Sequence, residues 1–345
     1  MSPSSCARSP ARAAVHPVSN PGRIDDVTSR QAGTLRLGVS ACLLGHEVRY
    51  DGGHKRHPFL TDLLGPFVEW VPVCPEVEAG FGTPREAMRL VRDGGDVRLV
   101  TVRTKRDVTG QLQKAVTARV RQLASLDLDG YVLKKDSPSC GLFRVKVYGE
   151  SGAGERHGRG LFAADLADAQ PLLPLEEEGR LNDPKLREAF IERVFAYRRL
   201  RDLGAAPLRA GDLMRFHARH KLLLLAHAPA AYARLGRLVA SAKGRVARAL
   251  FEEYSAAFMQ SLAVPATRGR HVNVLQHMAG YFDAADAASR RELAATIADY
   301  GLGLVPLVVP LTLIAHHARR HDVGYLLDQV YLQPHPKELM LRNHV

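Results

Sequence analysis

Between positions 35 and 170, short apolar runs closed by turn residues alternate with helically spaced stretches. Leu35–Ser40 (LRLGVS) reads as a strand running into a loop, 67–73 (FVEWVPV) as a second strand ending at Cys74, and Asp96–Thr101 (DVRLVT) as a third. Residues 109–126 set Val116, Val120, Leu123 and Leu126 at the three- and four-residue intervals of an amphipathic helix. Gly130–Leu133 (GYVL) follows as a fourth strand, just ahead of Lys134, Lys135 and Asp136. This alternation predicts an α/β domain over 35–170, with a mostly parallel sheet flanked by helices. In such sheets, ligands bind beyond the carboxyl ends of the strands.

Three prolines between 171 and 184, together with the run Glu176, Glu177, Glu178, predict a connecting segment over 171–204 that closes with a helix over 185–202. From 208 onward a 3.6-residue period dominates. Helices are predicted over 213–226, 231–242, 245–262, 270–283 and 285–300, so 205–345 reads as an all-α domain without internal repeats. Residues 1–34 are rich in Ser, Pro, Arg and Ala and lack an apolar h-region, which predicts a disordered extension and not a secretory signal. Asp25 and Asp26 speak against a transit peptide. The longest apolar run, 302–314, is interrupted by Pro306 and Pro310, so no membrane span is expected. The expected location is the cytoplasm.

A chain of 345 residues suits two domains, and 46% hydrophobic with 24% charged residues is ordinary globular composition. Charge adds more. The 48 Lys and Arg outnumber 36 Asp and Glu, a net charge of +12 that favours a polyanionic partner, either nucleic acid or an anionic membrane surface. Positions 205–345 hold 17 Lys and Arg against 10 Asp and Glu, and 10 of the 15 histidines. Arg215, Arg219, His220 and Lys221 are spaced to gather on one helix face, and Arg268 and Arg270 lie in the compact basic turn TRGRH. Such groups contact RNA phosphates, or they form a solvated helix face. His217 with His220, and His316 with His317 and His321, are close enough in sequence for a metal. No HExxH accompanies them and carboxylates are scarce nearby, so core or RNA-contacting histidines are expected.

The candidate chemistry lies with the cysteines. Of Cys6, Cys42, Cys74 and Cys140, the first belongs to the N-terminal extension. The other three each follow a predicted strand or its exit loop, which predicts that they meet at one rim of the sheet. Four thiolates close a zinc or iron–sulfur site. Three leave a 4Fe-4S cubane with one iron open to a non-protein ligand, the mark of a catalytic site. Buried, inert cysteines are the competing reading, since no CxxC spacing is present. Gly45, Pro75, Pro138 and Gly141 hold turns beside the cysteines that bring backbone N–H groups near cluster sulfurs. Glu76, Ser137 and Ser139 are the candidate proton-transfer groups. Arg49, Tyr50 and Asp51 either line the pocket or form a turn closed by Gly52 and Gly53. Lys134 and Lys135 either contact phosphate or end a strand in solvent.

The segments VSACLLG-x3-RYDGG, VCPEVEAGFGTPRE and KKDSPSCG, in that order, resemble the thiouracil desulfidase family over roughly residues 35–165. FHARHKLLLLAHAP, PATRGRHVNVLQHMAGYF, GLVPLVVPLTLIAHH and YLQPHPKELMLRNHV resemble the YbgA-type helical domain over about 205–345. The fusion resembles the tRNA 4-thiouridine desulfidases. That resemblance implies a 4Fe-4S cluster on Cys42, Cys74 and Cys140, whose free iron takes the sulfur of a thiocarbonyl. C4 of 4-thiouridine in tRNA then becomes a carbonyl and sulfide is released. Glu76 and Ser137 or Ser139 are expected to serve as acid and base, and Arg215, Arg219, Lys221, Arg268 and Arg270 to hold the RNA. Two alternatives stand beside this reading: a desulfidase for free thiouracil-type bases or nucleosides, and a non-enzymatic cluster-binding regulator of nucleic acid.

Overall fold

The computed structural model describes residues 34–149, 152, 154–205, 207–244, 246–282 and 286–345. Cys6 and the expected extension up to residue 33 lie outside the described residues.

The first half contains β1 (Leu35–Ser40), β2 (Val68–Val73), α1 (Pro75–Glu78), β3 (Met88–Asp93), β4 (Asp96–Thr101), α2 (Thr109–Ala124), β5 (Gly130–Leu133), β6 (Val145–Tyr148), β7 (Gly154–Gly158), α3 (Leu161–Ala169) and β8 (Leu175–Glu177). One sheet has the order β2-β1-β5-β8 and is parallel throughout. Every residue of β1 and β5 is buried, as a sheet covered on both faces requires. A second, mixed sheet has the order β4-β3-β6-β7, with β3 and β6 parallel and the outer pairs antiparallel. Val116, Val120 and Leu123 of α2 pack between these elements, on the face the periodicity assigned to the core.

Three elements depart from expectation. The connecting segment is not wholly a connection: Leu175–Glu177 pairs with β5 as the fourth strand of the parallel sheet. Its acids are buried because their carboxylates accept hydrogen bonds from a distant loop and from their own neighbours. The helix expected over 213–226 breaks at His220 into two, Ala210–Arg219 and Lys221–His227. The Gln329 side chain fills the break, accepting from Leu222 N–H and donating to the Ala218 carbonyl. The apolar run around Pro306 and Pro310 contains a helix, because Pro310 sits in its first turn, where a missing N–H forfeits no intrahelical bond.

The second half is helical from α4 (Pro184–Gly204) through α5 (Ala210–Arg219), α6 (Lys221–His227), α7 (Pro229–Ser241), α8 (Arg248–Leu262), α9 (Arg268–Ala279), α10 (Ala287–Leu302), α11 (Val308–Arg320) and α12 (Gly324–Leu327). Asp183 caps α4 by accepting from Lys185 and Leu186 N–H, with Pro184 in the first position. Leu222, Leu224, Phe258, Leu275 and Ile314 form the centre of this bundle. No helix among the described residues is long and apolar enough to cross a membrane.

Candidate active site

The four parallel strands run in one direction, so the segments leaving their carboxyl ends share one rim. Cys42 lies in the single 3-10 turn Ala41–Leu44 directly after β1, and Cys74 immediately after β2, at the N-cap of α1. Cys140 lies in the loop after β5. All three line one cavity of about 410 Å³, together with Glu76, Ser137 and Lys134. All three are free thiols.

Close approach in this loop depends on glycine. A Cβ on Gly160 would lie 2.5 Å from the Ser139 carbonyl carbon and oxygen and 2.9 Å from Cys140 N. Gly160 N–H also donates to the Gly141 carbonyl at 2.7 Å, which ties the start of α3 to the loop. From the other side, β8 holds the same loop. Glu177 Oε1 accepts from Leu142 and Phe143 N–H at 2.8 and 3.0 Å, and Glu178 accepts from Lys135 N–H and Lys134 Nζ at 2.7 and 2.6 Å. The sequence pattern gave no hint of this, since a run of three acids ordinarily marks a solvated loop.

Burial pushes the Cys42 thiol up to about 11, and the neighbouring Cys74 adds to the effect. Burial raises Cys74 as well. It raises Cys140 strongly, opposed by a hydrogen bond with Ser40 and reinforced by Cys74 and Cys42. The three sulfurs are thus within electrostatic reach of one another and each is partly desolvated, so thiolates form there only against a compensating cation. Among the described residues, no three His, Cys, Asp or Glu side chains stand close enough to share a single metal ion. A zinc ion needs each sulfur at about 2.3 Å from one centre. In a multi-iron cluster each thiolate meets a different iron, so the sulfurs stand farther apart. A donor set of three soft sulfurs, with no fourth cysteine on the cavity wall among the described residues, fits such a cluster better than zinc.

Glu76 is clamped. Its Oε2 accepts from Arg85 Nε at 2.8 Å and from Arg85 Nη2, and its Oε1 accepts from Ser139 Oγ at 2.8 Å. The Arg85 side chain is 6% exposed and that of Glu76 12%. Arg85 also donates to the carbonyls of Val48 and Gly82. The Cys74 sulfur faces the same Val48 carbonyl at 3.6 Å. Arg85 is therefore a member of the site that sequence reading missed. Ser139 is fully buried behind the cavity wall, and its hydroxyl orients Glu76 by donating to Oε1. Ser137 is on the wall; its Oγ accepts from Ser139 and Cys140 N–H at 3.3 and 3.1 Å. Arg49 and Tyr50 also line the cavity, the guanidinium 5.4 Å from the ring centroid. Asp51 instead closes the turn, paired with Arg49 and accepting from Gly53 N–H.

The expected RNA-contacting residues fare differently from one another. Arg215 is largely exposed, with Asp212 at 3.7 Å. Arg219 pairs with Asp328 at 2.9 Å. Arg268 lies over the Tyr300 ring. Arg270 donates to the His227 carbonyl at 2.6 Å and so spends part of its guanidinium inside the fold. Lys221 lies between two tyrosine rings. Of the histidines, His220 is buried between the Phe216 carbonyl and Arg199.

A cavity walled by three thiols and a fixed carboxylate, at the carboxyl ends of a parallel sheet, defines an α/β protein built around a soft-ligand site. The 2-thiouracil desulfurase family profile matches residues 37–178, and that of DUF1722, a protein of unknown function, matches residues 221–336. The uncharacterized protein YbgA of Escherichia coli (strain K12) is 32% identical over 165 residues, 47% of this chain and 98% of that protein. The uncharacterized protein YbbK of Bacillus subtilis (strain 168) is 31% identical over 152 residues, 42% of this chain and 97% of that protein. A solved structure of the 4Fe-4S-dependent thiouracil desulfidase TudS is 29% identical, with a TM-score of 0.37 over 46% of this chain and 99% of that one. The chain belongs to the 2-thiouracil desulfurase family, joined here to a DUF1722 module, and is a homologue of YbgA.

Proposed function

We propose that this protein is an enzyme that removes sulfur from 4-thiouridine in tRNA and leaves uridine. The observation that carries the reading is the meeting of Cys42, Cys74 and Cys140 on one cavity wall beside the clamped Glu76. The three thiolates would hold a 4Fe-4S cluster with one iron unclaimed by protein. When bound, such a cluster supplies a soft Lewis acid suited to a thiocarbonyl sulfur.

The net reaction is hydrolysis. Water oxygen becomes the carbonyl oxygen at C4, and sulfur leaves as sulfide with the two protons of water in balance. Glu76 is the group to take a proton from that water, because Arg85 and Ser139 hold its carboxyl group in place on the cavity wall. A positioned base of this kind contributes roughly 10²–10⁴ in rate. Ser137 already accepts two backbone N–H bonds, so its own proton is left to donate into the cavity. A volume of about 410 Å³ admits one base and not a duplex, so a base within tRNA must leave its stack to enter. The basic surplus over 205–345 supports a polyanionic substrate.

A second reading, turnover of free thiouracil-type bases, is favoured by the match of residues 37–178 to the 2-thiouracil desulfurase family. One experiment separates them. The protein is reconstituted anaerobically with iron and sulfide, then incubated in parallel with thiolated tRNA, free 4-thiouridine and 2-thiouracil, followed by nucleoside analysis. Loss of 4-thiouridine from tRNA with matching uridine is the expected result. Turnover of the free compounds alone would overturn the tRNA reading, and no turnover of any would overturn both.

A further inference from the structure

The helical half carries a second cleft, of about 410 Å³, that the proposed chemistry does not use. Its wall holds His217, Lys221, Tyr232, Gly236, Tyr281 and Tyr325. Tyr232 lies parallel to the His217 ring, with centroids 5.4 Å apart and planes 3° from parallel. Tyr281 and Tyr325 form a second stack at 5.2 Å and 23°. The Lys221 ammonium lies between them, 5.9 Å from the centroids of both Tyr232 and Tyr325. Tyr281 and Tyr325 remain 39% and 37% exposed, so part of each ring is open to the cleft and to solvent.

Two further features point to a ligand. His217 Nδ1 faces Tyr254 Oη at 3.2 Å, whereas its Nε2 is buried without any partner. An unpaired buried nitrogen is costly unless something completes it. Gly236 lies in the middle of α7, where glycine weakens a helix relative to alanine. Packing does not require it: a Cβ there would meet only His217 Nε2, at 3.7 Å. The residue keeps open the space in front of the unpaired nitrogen.

The chemistry of the wall narrows the ligand. Flat aromatic faces take a planar ring, and a lysine in place of a carboxylate rejects a cation. Among the described residues no Asp or Glu lines the cleft, and Arg234 and Arg237 are exposed on the same helix. Aromatic side chains beside cations are how proteins hold single-stranded nucleic acid, since every base presents a π-face and every nucleotide a phosphate.

We propose that this cleft binds one unstacked base of the RNA substrate, against Tyr232, Tyr281 and Tyr325, with the adjoining phosphate on Lys221. The assignment rests on the tRNA reading above. It makes the helical half a second point of attachment, separate from the cysteine cavity. His217 Nε2 supplies one hydrogen bond to the base edge.

The test is fluorescence anisotropy at low salt, with labelled unmodified tRNA and labelled hexauridylate, so that binding is read without turnover. Gly236→Ala is expected to melt at or above the wild-type temperature while binding both RNAs about tenfold more weakly. Tyr325→Ala is expected to weaken binding by about fivefold to a hundredfold. Wild-type affinity in both variants, with the unaltered protein binding tRNA, overturns this site and leaves the tRNA reading standing. No RNA binding by the unaltered protein overturns both. Saturation of the cleft by uridine monophosphate without effect on tRNA affinity assigns it to free nucleotides and likewise overturns the proposal.

Discussion

Replacing Arg85 by methionine separates what holds the site together from what the site does. The Arg85 side chain is 6% exposed, and it makes two hydrogen bonds to Glu76 and two more to the carbonyls of Val48 and Gly82. Methionine fills much of the volume but leaves Glu76, itself 12% exposed, as an uncompensated buried carboxylate. Breaking a buried pair by removing one partner costs about 3–5 kcal/mol. Glu76→Gln removes the charge while its amide oxygen still accepts from Ser139 Oγ, so it leaves the Arg85 charge unpaired but keeps one bond. In the double variant neither charge remains. A matched neutral pair of similar shape is often close to neutral in stability, so the double variant should lie within about 2 kcal/mol of the unaltered protein, well short of the sum of the single losses. Urea unfolding of the metal-free protein, followed by circular dichroism, measures all four corners of this cycle. Desulfuration is expected to fail in every variant that lacks the carboxylate, including the stable double variant. If Arg85→Met unfolds within about 1 kcal/mol of wild type, or if the losses simply add, then Glu76 is not held as described and its role as a base loses its support.

Three other outcomes follow from the geometry. Single replacement of Cys42, Cys74 or Cys140 by alanine should abolish the broad visible absorbance gained on anaerobic reconstitution; retention of the full spectrum in any one variant removes that residue from the cluster. Burial pushes His220 down to about 3 and His271 to about 4, so the unfolded chain takes up their protons first as pH falls below the ordinary 6.5. The stability they contribute is complete above that value and is lost toward acid at about 1.4 kcal/mol per pH unit each, or roughly 4 kcal/mol for the pair at pH 5. His227, raised by Glu192 against the effect of burial, works the other way and blunts the loss. Urea midpoints at pH 7 and pH 5 should therefore differ less in His220→Gln than in wild type, and an unchanged slope contradicts the assignment. Arg342→Met removes the guanidinium that Glu188 and Glu192 share in the core, leaving them only His335 and His227, and should cost about 3–5 kcal/mol, with Glu188→Gln in the same chain restoring part of it in urea titrations.

What the sequence discloses depends on whether a signal is local. The cores of β1, β2, β4 and β5 announce themselves as apolar runs with turn residues behind them. Cys42, Cys74 and Cys140 could be placed at one rim because each follows such a run. By contrast, β3 (MRLVRD) and β7 (GERHG) are largely polar and show no clean alternation. The three residues of β8 are strand only because β5 pairs with them, and Glu177 and Glu178 are acidic because a loop more than thirty residues away needs acceptors. Arg85 is invisible for the same reason, since its worth lies in a carboxylate and two carbonyls gathered by the fold. The basic turn shows the same dependence on the fold. Arg268 and Arg270 read in sequence as phosphate ligands, and only the fold shows that one lies over Tyr300 and the other bonds the His227 carbonyl.

The two halves meet along α4. Phe190, Ile191 and Val194 on this helix pack into the core beneath β1, whereas Ala196 and Leu200 belong to the core of the bundle. Arg198 and Arg201 reach Asp129, one residue before β5. Arg342, near the other end of the bundle sequence, reaches back to Glu188 and Glu192 at 3.0 Å each, and Leu339 and Leu341 enter the same core as β1. Each buried leucine adds about 1.5–3 kcal/mol, and the charges are held by partners on one rigid helix. Separating the halves would expose Phe190, Ile191, Val194, Leu339 and Leu341 and pull Arg198 and Arg201 away from Asp129 at once, a penalty well above the few kcal/mol available to a hinge. The cysteine cavity and the tyrosine cleft are therefore fixed relative to each other. If RNA occupies both, the rearrangement that delivers a base to the cavity must come from the RNA and not from a swing of the helical half. A cross-link between the C-terminal turns of α4 and the segment just before β5, where Arg198 and Arg201 meet Asp129, should accordingly leave tRNA desulfuration intact, and inactivation by that cross-link would show that the halves have to part.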